Sequence, residues 1–162
     1  MINTNENRGG KMKARYYSLI LILIFFSFLL GCGGAGGNSA PPGSTITINP
    51  SSVSTTDSSS SSTWRTQFFT ITLIDSDGNP IDNAKITIST VFTTAPDTTS
   101  AVIQLYDGSS TKSSPFEAYT DRFGVYYLRF DYRTGESLTY GGNLEVRSGD
   151  AYATATFSIT GG

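Results

Sequence analysis

The sequence predicts an all-β sandwich, and three observations carry that prediction. From Thr45 onward, apolar residues recur at every second position over short runs, the period of a strand with one buried face. Clusters of Gly, Pro, Asp, Asn and Ser separate those runs. Beyond the leader, no stretch sustains the i, i+3, i+4 apolar spacing of a packed helix. About eight short strands at such intervals form a sandwich or a barrel.

The chain opens with a basic leader containing Arg8, Lys11, Lys13 and Arg15, then an apolar stretch of 13 residues from Ser18 to Leu30. A secretory signal has this layout, with an apolar region of about 7–15 residues; a membrane-spanning helix needs about 20. The stretch closes with Leu29-Leu30-Gly31-Cys32, and Cys32 is the only cysteine in the sequence. This run resembles the lipobox of bacterial lipoproteins. The resemblance implies cleavage after Gly31, a diacylglyceryl group on the Cys32 thiol and acylation of the freed amine. Two or three acyl chains give stable anchoring to a membrane. Gly33 rather than Asp after the cysteine implies, by analogy with enteric bacteria, sorting to the outer membrane, facing the periplasm or the cell surface.

The expected organisation is a signal peptide over residues 1–31, a Gly/Pro-rich flexible tether over 32–44 and one domain over 45–160. Thr45–Ile48 begins the domain and Pro50 ends the run. Asp57–Thr63, with five consecutive serines, reads as an exposed loop. Trp64–Ile74 alternates, with Phe69, Ile71 and Leu73 on one face. Trp64 itself reads as core or rim packing. Ala84–Val91 sets Ala84, Ile86 and Ile88 inward. Ala101–Tyr106 and Phe116–Thr120 follow, with Ser109–Ser114 between them as a polar loop. Val125–Tyr132 puts Tyr126, Leu128 and Phe130 on one face and Arg129 and Asp131 opposite. Gly142–Arg147 and Ala151–Ile159 form a last pair, in which Ala153, Ala155, Phe157 and Ile159 face in.

Composition excludes several functions. The sequence holds no histidine, which removes the usual general acid–base at neutral pH and the commonest metal ligand. After the expected cleavage, 7 basic and 12 acidic residues remain, a net charge of −5. That balance leaves no basic patch for nucleic acid. Only Lys85 and Lys112 remain as lysines, so a Ser-Lys hydrolase has little to work with. No nucleophile elbow, phosphate loop or zinc spacing is present. The expectation is a non-catalytic module with no cofactor.

Two turn motifs carry a resemblance of their own. Phe69 to Leu73 leads into Asp75-Ser76-Asp77-Gly78-Asn79-Pro80 and then Ala84 to Ile88, and Thr120-Asp121-Arg122-Phe123-Gly124 feeds Val125 to Phe130. In order, and followed by the alternating strand Ala151–Ile159, these motifs resemble the bacterial Ig-like domains of the invasin/intimin type. The resemblance covers about Thr45 to Thr160. It implies an Ig-like β-sandwich of about 7–8 strands. It also implies a role in adhesion, recognition or envelope structure, with a protein or glycan partner. The alternatives are a surface assembly subunit joined by strand pairing and a carbohydrate-binding accessory module.

Two groups of residues are candidates for a site. Asp75, Asp77 and Asp82 are candidate calcium ligands, although an EF-hand needs Gly at its sixth position and an acid at its twelfth, where Pro80 and Ile86 stand. Among the tyrosines, alternation places Tyr126 and Tyr132 in the core. It points Tyr127 and Tyr152 outward, making those two the candidate ligand surface.

Overall fold

Residues 37–162 are described by the structure, a computed structural model, and they form one unit. The expected signal peptide, Gly31 and Cys32 lie outside the described residues. Among the described residues every regular element is a strand: β1 Thr45–Asn49, β2 Ser52–Asp57, β3 Thr63–Ile74, β4 Lys85–Thr94, β5 Ile103–Asp107, β6 Ser110–Lys112, β7 Phe116–Tyr119, β8 Val125–Thr134, β9 Tyr140–Ser148 and β10 Ala151–Gly161. They form two five-stranded sheets, ordered β1-β3-β8-β5-β6 and β2-β10-β9-β4-β7.

That order is Ig-like. In the immunoglobulin pattern, strands A, B, E and D form one sheet and C, F and G the other. Here β1, β3, β8 and β5 take the A-B-E-D places, while β4, β9 and β10 take C-F-G. β2, β6 and β7 are additions at the sheet edges. A second Ig feature sits where β9 begins. Tyr140 is buried and donates its hydroxyl to the carbonyls of Arg133 at 2.7 Å and Val102 at 3.2 Å. This is the tyrosine corner of Ig sandwiches, tying the start of F to backbone upstream.

The inward faces follow the alternation of the sequence. Phe69, Ile71 and Leu73 of β3, Ile86 and Ile88 of β4, and Leu128 and Phe130 of β8 are buried, as are Leu144 and Val146 of β9 and Phe157 and Ile159 of β10. Each such side chain contributes about 1.5–3 kcal/mol on burial. Phe130 lies at the centre, edge-on to Phe69 with centroids 5.6 Å apart and 5.5 Å from Phe157. Tyr126 and Tyr132 are buried too.

The two resembling turns share one device and are stitched together. Asp75 Oδ1 accepts the N–H groups of Asp77 and Asn79 at 2.9 and 2.8 Å; Asp121 Oδ1 accepts those of Phe123 and Val125, both at 2.9 Å. In each turn the Asp carbonyl accepts the N–H of a glycine at positive φ, Gly78 or Gly124. Thr120 joins the two. Its hydroxyl donates to the Ile81 carbonyl at 2.6 Å and accepts the Ala84 N–H at 2.9 Å. The Leu73 N–H also donates to the Gly124 carbonyl at 2.8 Å.

Three segments differ from expectation. Ser52–Asp57 is a strand, β2, paired parallel with β10. Its inward positions are Val53, Thr55 and Asp57, so a single apolar residue marks the alternation, too little to see in sequence. Ser58–Ser62 is an exposed loop, but its expected first residue, Asp57, is buried. Ser110–Lys112 pairs with β5 as a three-residue edge strand rather than a loop. Trp64 is 45% exposed beside Arg133, outside the core but at its rim. Upstream of Thr45 the chain lies against the sandwich: Ala40 is buried and donates its N–H to Ser148 Oγ at 2.9 Å, and Asn38 accepts the Lys85 N–H at 3.0 Å.

Candidate functional site

The strongest candidate surface is the outer face of the first sheet. With Phe69 and Leu128 inward, alternation turns Trp64, Thr66 and Phe68 of β3 outward, together with Tyr127, Arg129, Asp131 and Arg133 of β8. The register sets Trp64 opposite Arg133, Thr66 opposite Asp131, Phe68 opposite Arg129 and Thr70 opposite Tyr127. β5 adds Tyr106 beside Arg129 and Gln104 beside Asp131. Tyr127 is 66% exposed and Phe68 62%, above every other large apolar or aromatic side chain among the described residues.

A fixed ion pair occupies the middle of this face. Arg129 reaches Asp131 with two hydrogen bonds, Nε to Oδ1 at 2.9 Å and Nη2 to Oδ2 at 2.5 Å, and Thr66 Oγ1 donates to Oδ1 at 2.8 Å. Burial pushes the Asp131 carboxyl up, but the bonds from Arg129 and Thr66 outweigh it and hold the group below the usual carboxylate range. The Asp131 hydrogen bond raises Arg129 in turn. The guanidinium also lies 4.4 Å from the centroid of the Tyr106 ring. Arg133 stands 5.9 Å from the centroid of the Trp64 ring and donates to Ser62. Arginines held beside aromatic rings present flat, polar-edged surface without much side-chain freedom left to lose.

Tyr127 belongs to this face, but Tyr152 does not. Tyr152 is 45% exposed on the outer face of the second sheet, with Arg147 4.2 Å from its ring centroid. Burial of the phenol, then Glu145, raises its pKa. The two tyrosines therefore lie on opposite sides of the sandwich and cannot form one patch. Sequence reasoning missed Trp64 and Phe68 as members of the face. The signal was present, since their even-numbered parity is opposite to that of the inward Phe69, Ile71 and Leu73.

The calcium candidates do not assemble. The Asp75 carboxylate is occupied by its turn, accepting backbone N–H groups from Asn79 and Asp77 and the Asn79 side chain at 3.2 Å. The Asn79 backbone bond leads the effects that lower its pKa. Among the described residues, Asp75, Asp77 and Asp82 are part of no group able to hold a metal. The lysines are engaged as well. Lys85 pairs with Glu117 at 3.0 Å, whose hydrogen bond raises the ammonium pKa, and Lys112 pairs with Asp107 at 3.6 Å. Lys85, held in its charged form by Glu117, is not a general base.

No protein-family model matches the chain, and it matches no curated protein. Among solved structures it is similar to an ASH/PapD-like domain of human CEP192, PapD-like domain 7. The TM-score is 0.44 at 10% identity, over 80% of this chain and 94% of that one. It is also similar to the Yersinia pseudotuberculosis adhesin InvE. There the TM-score is 0.33 at 21% identity, over 78% of this chain and 29% of the adhesin. The chain thus spans less than a third of the adhesin's length.

Proposed function

We propose that this chain is a membrane-anchored lipoprotein of the bacterial cell envelope whose Ig-like sandwich is a non-catalytic recognition module. The outer face of β3, β8 and β5 meets the partner, a protein or a glycan. The observation that carries the binding role is the exposure of Trp64, Phe68 and Tyr127 around the Arg129–Asp131 pair. Exposed aromatics clustered in one patch mark interaction sites, and aromatic and arginine side chains dominate binding energy at such sites. The anchor rests on the Leu29-Leu30-Gly31-Cys32 run.

Two experiments test the two halves. Intact-mass spectrometry of the protein from its native membrane fraction should give a chain beginning at Cys32 and carrying acyl groups. A mass that retains Met1 would mean that the apolar stretch is an uncleaved anchor and would overturn lipidation at Cys32. For the face, the full chain in detergent is applied to immobilised envelope and host glycans and to host surface proteins. The Phe68→Ser/Tyr127→Ser double variant should bind at least about tenfold more weakly than the parent. Equal binding by the two proteins would move the site elsewhere.

A further inference from the structure

The described chain begins beside an exposed aromatic turn. Asn38 accepts the Lys85 N–H and Ala40 is buried against Ser148, so the chain is fixed to the sandwich from Asn38 onward. Just before it, Gly37 is pressed against the end of β7: a Cβ there would overlap the Tyr119 ring and the Asn83 carbonyl oxygen. The Asn83 N–H in turn donates to the Thr120 carbonyl at 3.1 Å, and Thr120 leads directly into the Asp121 turn. The entry point of the chain, Tyr119, the Asp121 turn and the Gly149 hairpin, which touches Ala40, thus share one end of the sandwich.

Phe123 stands in the Asp121 turn and is 59% exposed. The turn requires the Asp121 carboxylate and the positive φ of Gly124, but it requires no aromatic side chain between them. The Arg122 guanidinium lies over the Phe123 ring, 4.6 Å from its centroid, and Tyr119 leaves nearly half its surface in water nearby. An apolar ring with a cationic or polar group beside it suits the boundary between lipid headgroups and acyl chains.

With Cys32 acylated, as proposed above, residues 33–36 alone separate the anchor from Gly37. Five extended residues span at most about 18 Å. The acyl chains hold Cys32 at the lipid surface, so the tether cannot lift this end of the sandwich further from it than that. The opposite end points away: Ile74 of β3 pairs with Thr45 at the entry end, and Trp64 lies about 33 Å back along the same strand. Asp77, Asp82 and Asp150 are exposed at the entry end, so it fits a zwitterionic lipid surface better than an anionic one.

We propose that the Asp121 turn is a second membrane contact of this domain. Phe123 enters the headgroup region of a zwitterionic bilayer, Arg122 stays among the phosphates, and the Trp64 end of the recognition face stands away from the membrane.

Tryptophan depth in vesicles tests this. The full chain, its acylation checked by intact mass, is placed in phosphatidylcholine vesicles with and without lipids brominated near the headgroup end of their acyl chains. The unaltered chain reports from Trp64, its one tryptophan; the Trp64→Phe/Phe123→Trp protein reports from the turn. Emission from position 123 should fall at least about twofold in the brominated vesicles, as for a ring about 5–10 Å into the interface, while emission from Trp64 is unchanged. Should that protein fail to fold, Trp64→Phe/Arg122→Trp moves the probe to the neighbouring exposed position. An acylated protein with position 123 unquenched would overturn the contact and leave the anchor standing; a chain without acyl groups would overturn both. Equal quenching at positions 64 and 123 would lay the sandwich flat on the membrane and overturn the upright orientation. Stronger quenching in phosphatidylglycerol vesicles would assign the turn to anionic lipid and overturn the proposal too.

Discussion

Gly78 and Gly124 occupy the same place in two copies of one turn, so substituting each with alanine separates conformation from contact. Both have positive φ, +85° and +69°, and both donate to the carbonyl of an aspartate three residues earlier. An alanine in that region costs about 1–2 kcal/mol. At Gly78 nothing lies within 4 Å of where a Cβ would stand, so Gly78→Ala should cost that and no more. At Gly124 the Cβ would overlap the Leu73 carbonyl oxygen and press on Ile81 N and Pro80 Cβ, 3.0 and 3.1 Å away. That carbonyl accepts the Ile81 N–H at 3.2 Å, while the Leu73 N–H donates to Gly124, so relief of the clash breaks bonds joining the two turns. Adding one or two hydrogen bonds at about 1 kcal/mol each puts Gly124→Ala at about 2–4 kcal/mol. Urea unfolding of the chain and both variants, compared at equal m-value, reads the difference directly. If Gly78→Ala costs as much as Gly124→Ala, the contact argument is wrong and only backbone conformation matters.

Tyr140→Phe keeps the ring packing but leaves the Arg133 carbonyl without its hydroxyl donor, whereas Val102 still accepts the Arg133 N–H. The expected loss is about 1–3 kcal/mol by denaturant titration, and a change under about 0.5 would refute a structural role for the corner. Burial raises the pKa of Tyr126 and Tyr140 in the folded state. Their contribution is therefore complete below the unfolded value near 10 and declines as pH rises above it, and Tyr140→Phe should flatten that alkaline decline. At the acid end the signs reverse. Hydrogen bonds from Ser59 and Thr134, with help from Arg65, hold buried Asp57 well below the carboxylate range, and Asp131 is lowered as well. Their stabilisation is complete above about pH 4 and should fade as pH falls below it; a melting temperature unchanged between pH 6 and pH 2.5 would contradict this. Phe68→Ser/Tyr127→Ser should leave stability within about 0.5 kcal/mol, since both side chains are mostly exposed. A large drop in the melting temperature would make the face structural.

The parts of the fold that could be read from sequence are those in which one strand face is apolar throughout. β3, β8 and β10 each show three or more alternating apolar residues, and their buried faces are the expected ones. β2 hid because its inward positions are Val53, Thr55 and Asp57. Thr55 bonds the Tyr132 hydroxyl at 3.1 Å, and Asp57 accepts from Thr134 at 2.5 Å and pairs with Arg65 at 3.2 Å. Burial there is satisfied by hydrogen bonds, which leave no hydropathy signature. β6 hid because three edge residues need no apolar face at all. Asp131 shows the same blindness within a visible strand: parity placed it outward correctly, yet Arg129 and Thr66 cover it.

The same logic explains why the motifs that were easiest to recognise say least about function. The Asp75 and Asp121 turns and Thr120 all spend their polar atoms on backbone partners inside the fold, so their residue types are dictated by turn geometry. Such residues would recur in any sandwich that joins these strands in this way, whatever it binds. Residues that the fold does not require are more informative. Phe68 and Tyr127 leave most of their surface in water. Neither is explained by stability, because an aromatic ring left mostly in water adds little buried apolar area. They share the outer face of the first sheet, where a substitution can test recognition without disturbing the core.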